Sequence, residues 1–132
     1  MRVKTTIAVL LGIAFALAVT AHACRVPYTS PDFDALISVE AVEAEPHRFE
    51  AFVPTEMNGA PFLAMYLKFR EVDEEASQQT QRLEATSERG GLVSYFSVSN
   101  EQLLAGPYLY AYYQGSKDRC GTAARKEIVA LK

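Results

Sequence analysis

The sequence is poor in the residues that usually announce chemistry. Of 132 residues, two are cysteine, two are histidine and none is tryptophan. Zinc sites and iron–sulfur clusters draw on three or four Cys, His or carboxylate ligands in recognisable spacing. Here His22 falls in the leader described below, leaving only His47, Cys24 and Cys120. No G-x-S-x-G is present, so a Ser–His–Asp or Cys–His site would have to rest on His47 alone. Carboxylates are plentiful, but none stands in a recognisable arrangement for glycoside hydrolysis. No cofactor motif occurs, and no cofactor or metal is expected. Basic residues are outnumbered, 13 against 16 acidic, and form no cluster. That excludes the electrostatic footprint of a nucleic-acid binder. With 49% apolar and 11% aromatic residues, disorder is excluded as well.

What is present begins with an address. Arg2 and Lys4 open the chain, Ile7 to Val19 follows without a charge, and Ala21-His22-Ala23 supplies a small-x-small exit. This is the pattern of a secretory signal peptide cleaved after Ala23. The apolar stretch is too short for the roughly 20 residues a membrane span needs. Residues 24–132 are then expected to form one domain, with the formal charge moving from −3 to −5 as Arg2 and Lys4 leave. Cys24 would be the first mature residue. It either pairs with Cys120 in an oxidising compartment or is acylated, as in bacterial lipoproteins. The residues Ala21, His22 and Ala23 depart from the lipoprotein pattern in lacking its Leu and carrying a bulky His. Acylation would also leave Cys120 as an odd thiol, so the disulfide is the expectation. A terminal staple of this span would contribute on the order of 4–5 kcal/mol by the chain-entropy model. Neither Asn58 nor Asn100 lies in a glycosylation sequon, which suits bacterial export.

Along residues 24–132 the dominant period is two. Cys24 to Asp34, with Pro27, Ser30 and Pro31, reads as an extended lead-in. Ile37, Val39 and Ala41 alternate with polar residues, and Phe49, Ala51 and Val53 alternate with Arg48, Glu50 and Phe52 up to Pro54. Asn58-Gly59 is hairpin chemistry. Leu63, Met65, Leu67 and Phe69 face one side, with Tyr66, Lys68 and Arg70 on the other. Glu71 to Gln81 is an acidic, Gln-rich loop with at most a short helix from Glu74, leading to a polar edge strand near Gln81 to Thr86. After Gly90-Gly91, Leu92, Ser94, Phe96 and Val98 share a face. A turn at Asn100 to Ala105 precedes the aromatic strand Tyr108 to Tyr113, and Lys126 to Leu131 forms the last strand.

Six or seven short strands with frequent turns predict an all-β, antiparallel sandwich, with a small lipocalin-like β-barrel as the structural alternative. The stretch Leu103-Leu104-Ala105-Gly106-Pro107-Tyr108-Leu109-Tyr110 resembles the late strands of immunoglobulin-like and fibronectin-III-like domains, where a leucine-bearing turn and a Gly precede a Tyr opening the penultimate strand. The resemblance covers about 20 residues and implies a fold only. The Cys–Trp–Cys core of immunoglobulins is absent.

Weighed one by one, the chemical candidates favour structural roles. His47, Met57 and Met65 offer copper-type ligands, but Met65 sits in an apolar series. Asp32 and Asp34, or Glu71, Asp73, Glu74 and Glu75, lack the spacing of a calcium loop. The aromatic run says more. Tyr108, Tyr110 and Tyr112 point one way and Tyr113 the other, with Tyr66 and Tyr95 as neighbours on an interaction surface. The expected function is therefore a non-catalytic binding domain, periplasmic or secreted, whose partner is another envelope protein. A small enzyme inhibitor or immunity-type protein is the first alternative, using Met57-Asn58-Gly59 or Gly115 to Asp118 as its loop. A lipoprotein subunit held at the outer membrane by acylated Cys24 is the second, and contact with a membrane is expected only in that case.

Overall fold

The computed structural model describes residues 26–71 and 80–129. The expected leader, Cys24, the helix proposed from Glu74, the acidic residues Asp73, Glu74 and Glu75, and the final residue pair Leu131-Lys132 lie outside the described residues. Among the described residues nine strands, more than the six or seven expected, form two antiparallel sheets. They are β1 (Ser38–Ala41), β2 (Arg48–Val53), β3 (Glu56–Met57), β4 (Ala60–Phe69), β5 (Gln81–Leu83), β6 (Thr86–Glu88), β7 (Gly91–Ser97), β8 (Pro107–Tyr113) and β9 (Thr122–Glu127), with short helices α1 (Pro31–Asp34) and α2 (Asn100–Leu104). Sheet I has the order β1-β2-β7-β6. Sheet II has the order β3-β4-β8-β9, with β5 also paired to β4.

The inward residues of both sheets belong to one core. Phe49, Ala51 and Val53 come from β2 and Phe96 from β7. Met65, Leu67 and Phe69 come from β4, and Leu109, Ala111 and Tyr113 from β8. The alternation of β2 and β8 therefore does what its period implies, burying every second residue. Phe49 stacks on Phe96 with centroids 5.9 Å apart. Tyr113 meets the edge of Phe62 at 5.7 Å, and its hydroxyl donates to the Pro54 carbonyl at 2.6 Å.

Turns follow from local chemistry. Asn58-Gly59 and Arg89-Gly90 both place two successive residues at positive φ, as two-residue hairpins of type I′ require. At Gly91, just beyond, a Cβ would lie 2.5 Å from the Phe52 ring and 2.7 Å from the Val53 carbonyl. Only glycine fits under that ring.

Several expectations need correction. Leu63 does not join the inward series of β4; it is 42% exposed. The register slips by one residue between Phe62 and Ala64, so Leu63 is the extra residue of a bulge. The bulge lets Phe62 and Met65 both turn toward the core. The lead-in is not wholly extended, because Ser30 caps α1 by accepting from the Asp32 amide and Pro31 sits at its first turn. The turn at Asn100 is a helix closed by a Ser99/Gln102 capping box. The single polar edge strand is two strands, β5 on sheet II and β6 on sheet I. The last strand begins at Thr122, earlier than expected.

The outer edge of β9 is occupied by the lead-in. Tyr28 bridges Thr122 in parallel, donating to the Gly121 carbonyl at 2.8 Å and accepting from the Ala123 amide at 2.9 Å. The Asp34 carboxylate accepts from the Arg125 amide at 2.9 Å.

Candidate functional site

Strand register decides which of the six nominated tyrosines meet. Across sheet II, Arg82 of β5 pairs with Tyr66 of β4, Tyr66 with Tyr110 of β8, and Tyr110 with Arg125 of β9. Directly paired residues of adjacent strands point to the same side. These four side chains thus form one row across the outer face, a cation at each end and two phenols between. A second row runs Lys68, Tyr108, Glu127, and a third Ala64, Tyr112, Ala123. Tyr66, Tyr108, Tyr110 and Tyr112 share this face, each half-buried. The Tyr112 ring folds back over Gly121, where a Cβ would stand 3.0 Å from its hydroxyl oxygen.

The other two tyrosines stand elsewhere. Tyr113 is fully buried in the core and offers no contact surface. Tyr95 lies on the outward face of sheet I, opposite Glu50, beneath the Arg48 guanidinium at 5.7 Å.

Lys68 is the hub of the tyrosine face. Its ammonium lies 4.1 Å from the centroid of Tyr110 and 5.9 Å from that of Tyr66, where the negative faces of both rings attract it. Burial raises the Tyr110 hydroxyl above the ordinary 10.0, and the phenols of Tyr112, Tyr108 and Tyr66 push the same way. At neutral pH that hydroxyl is a hydrogen-bond donor. Among the described residues, no carboxylate lies in ion-pair range of Lys68, Arg82 or Arg125, while Arg70 is paired to Glu127. Where the long row ends, Arg125 also lines a hollow of about 420 Å³ together with Asp34, Phe69, Arg70, Tyr108 and Glu127.

The remaining candidates are placed as follows. His47, at positive φ, lines an apolar hollow of about 520 Å³ between the β1–β2 turn and α2, with Val42, Phe49 and Leu103. No hydroxyl or thiol side chain shares that lining. Met57 and Met65 belong to the core. Asp34 is engaged by the Arg125 amide. Among the described residues no group of three His, Cys, Asp or Glu side chains is placed to hold a metal ion. Cys120 is buried and is not a free thiol. The two loops nominated for an inhibitor lie together, because the guanidinium of Arg119 donates to the Asn58 carbonyl at 3.1 Å and packs against Gly59.

Sequence reasoning missed Arg82 and Arg125. Each sits in a short strand without alternation, and the acidic average of the chain hides the two arginines that register places at the ends of one row. No protein-family model matches the chain, and no curated protein or solved structure matches it either.

Proposed function

We propose that this protein is an exported, non-catalytic binding domain of the cell envelope, contacting a protein partner through the outer face of sheet II. The observation that carries the reading is the four half-buried tyrosines on one open sheet face, held in register beside Lys68. Tyrosine offers broad contact area at low conformational-entropy cost, with a hydroxyl for specificity. The fold reading that goes with it is an immunoglobulin-like sandwich. Its support is the strand order, in which β1-β2-β7-β6 and β4-β8-β9 run as A-B-E-D and C-F-G do in such domains. The proposed Cys24–Cys120 staple is supported by the bridge from Tyr28 to Thr122, which brings the lead-in beside Cys120.

The test is site-specific photocrosslinking in living cells. A benzophenone amino acid at Tyr66 or Tyr112 is expected to trap an envelope protein, and the same group at Tyr95 is expected to trap none. Adducts at Tyr95 alone, or at none of the three, would defeat the reading.

A second reading, an enzyme inhibitor, is favoured by one observation: the loops at 57–59 and 115–118 present a joint tip tied by Arg119. Inactivity against a panel of lysozymes and proteases removes it.

A further inference from the structure

We infer that the partner recognised by this face is an acidic protein segment, whose carboxylates are received by Lys68, Arg82 and Arg125 across the tyrosine row. The inference rests on the binding reading above and names the chemistry of its partner.

Three features lead there. First, Lys68, Arg82 and Arg125 have no carboxylate in ion-pair range among the described residues, because Glu127, the carboxylate of these rows, is taken by Arg70, although the chain as a whole is acidic, with 16 acidic residues against 13 basic. On the outer face of sheet I the opposite holds, and Arg89 is paired with Glu50 and lies over Phe52. Charge complementarity therefore selects an anionic partner for one face only.

Second, the spacing fits an extended chain. Arg82 and Arg125 stand at the ends of a row crossing four strands, which at about 4.8 Å per strand separates their backbones by about 14 Å. A peptide running along the row advances about 3.3 Å per residue, so carboxylates four residues apart reach both guanidinium groups. Lys68, midway along, receives a third. Beside Arg125 the hollow of about 420 Å³ is walled by Asp34 and Glu127 as well as Tyr108 and Arg70, so a side chain inserted there is a neutral one and the segment's carboxylates stay on the row.

Third, the centre of the face is closed to a stacking ligand. The Lys68 ammonium stands 4.1 Å over the Tyr110 ring, where the ring of a sugar would have to lie. A carboxylate needs no such access; it approaches the ammonium from solvent. The half-buried tyrosines hold that ammonium in place beforehand, which lowers the ordering cost of binding. An anionic glycan is the other polyanion an envelope offers, and this occlusion disfavours it.

The test uses the protein as isolated from cells and two fluorescent probes, poly-L-glutamate and polygalacturonate. Anisotropy titrations are run on the wild type, on the pair Lys68→Gln with Arg125→Gln, and on the pair Arg48→Gln with Arg89→Gln from the other sheet. Both pairs remove two positive charges, and circular dichroism checks that each stays folded. The expected result is poly-L-glutamate binding that weakens about tenfold in the first pair, changes less than about twofold in the second, and fades at high salt. Equal loss in both pairs would reduce the effect to net charge and overturn the inference. So would preferential binding of polygalacturonate, or no binding of poly-L-glutamate. Should crosslinks form at Tyr66 or Tyr112 while poly-L-glutamate fails to bind, the face stands and its acidic partner is wrong. Should no crosslinks form there, the binding reading itself falls.

Discussion

The outward face of sheet I carries two arginines and a tyrosine, and all three are engaged by one another or by near neighbours. Arg48 covers Tyr95 and pairs with Glu45; Arg89 pairs with Glu50 and covers Phe52. The ion pair at Glu50 also relieves a like-charge opposition, since Glu40 of β1 faces Glu50 directly. The outward face of sheet II holds four tyrosines and three cations. Its internal matches are the Arg70–Glu127 pair and the placing of Lys68 over two rings, and neither engages Arg82 or Arg125. Similar residue types thus give one face that satisfies itself and one that does not. Net charge, taken over the chain, is blind to the distinction; strand register is what creates it.

The strand that separates inside from outside most sharply is β8, and the largest expected effect lies there. Tyr113→Ala removes a fully buried ring and its bond to Pro54, and is expected to cost about 3–5 kcal/mol in urea unfolding. Tyr110→Ala, three residues earlier on the outer face, is expected to cost about 1 kcal/mol or less. Comparable losses would mean that the outer tyrosines serve stability and not recognition. On the self-satisfied face, Gly91→Ala drives a methyl group into the Phe52 ring and the Val53 carbonyl, at about 1–3 kcal/mol. Retained stability there would show that Phe52 and Arg89 are not fixed as described.

Titration separates the two sides of β8 again. Burial raises the Tyr113 hydroxyl above the ordinary 10.0. A phenol whose folded pKa is raised contributes stability that is fully present below pH 10 and is lost as pH rises through the folded value. Urea midpoints are therefore expected to hold steady toward pH 10 and then fall, by up to about 1.4 kcal/mol per pH unit for this one group. Tyr113→Phe should flatten that fall; an unchanged slope would assign it to other groups. The smallest effect is expected at the bulge. Leu63→Ser should stay within about 0.5 kcal/mol, whereas Met65→Ser, two residues on and fully buried, should be severely destabilising. A large cost at Leu63 would restore it to the core.

The strands that bury one face were open to sequence reading, because burial leaves a period of two. Phe49, Ala51 and Val53 point inward as expected; in the aromatic strand the alternation was readable but not its sense, and Leu109 and Ala111 turn out to be the inward set. The bulge was not readable, since the inserted residue is itself a leucine and the apolar alternation runs on through it. The division of residues 81–88 between two sheets was not readable either. Short edge strands such as Thr86–Glu88 are exposed throughout and bury nothing that would mark them. The tyrosine series was visible, but its sorting depended on partners far away in the chain. Tyr113 is drawn inward toward Pro54, and Tyr66 and Tyr110 are joined across a gap of more than forty residues. Local signals did exist for both helices, in Ser30-Pro31 and in Ser99-x-x-Gln102; they mark caps, which short helices carry as surely as long ones.

The occupied edge of β9 has a bearing on how many molecules act together. A terminal strand with unused outward donors is an invitation to a neighbour's backbone, and sheets grow into filaments by that route. In this protein the Ala123 amide is taken by Tyr28 and the Arg125 amide by Asp34. The residues that do this are not core residues themselves; α1 has no fully buried residue and gives the core only the partly buried Phe33. Their work is to make sheet II finite on that side, so that a neighbour's strand finds these two amides already taken.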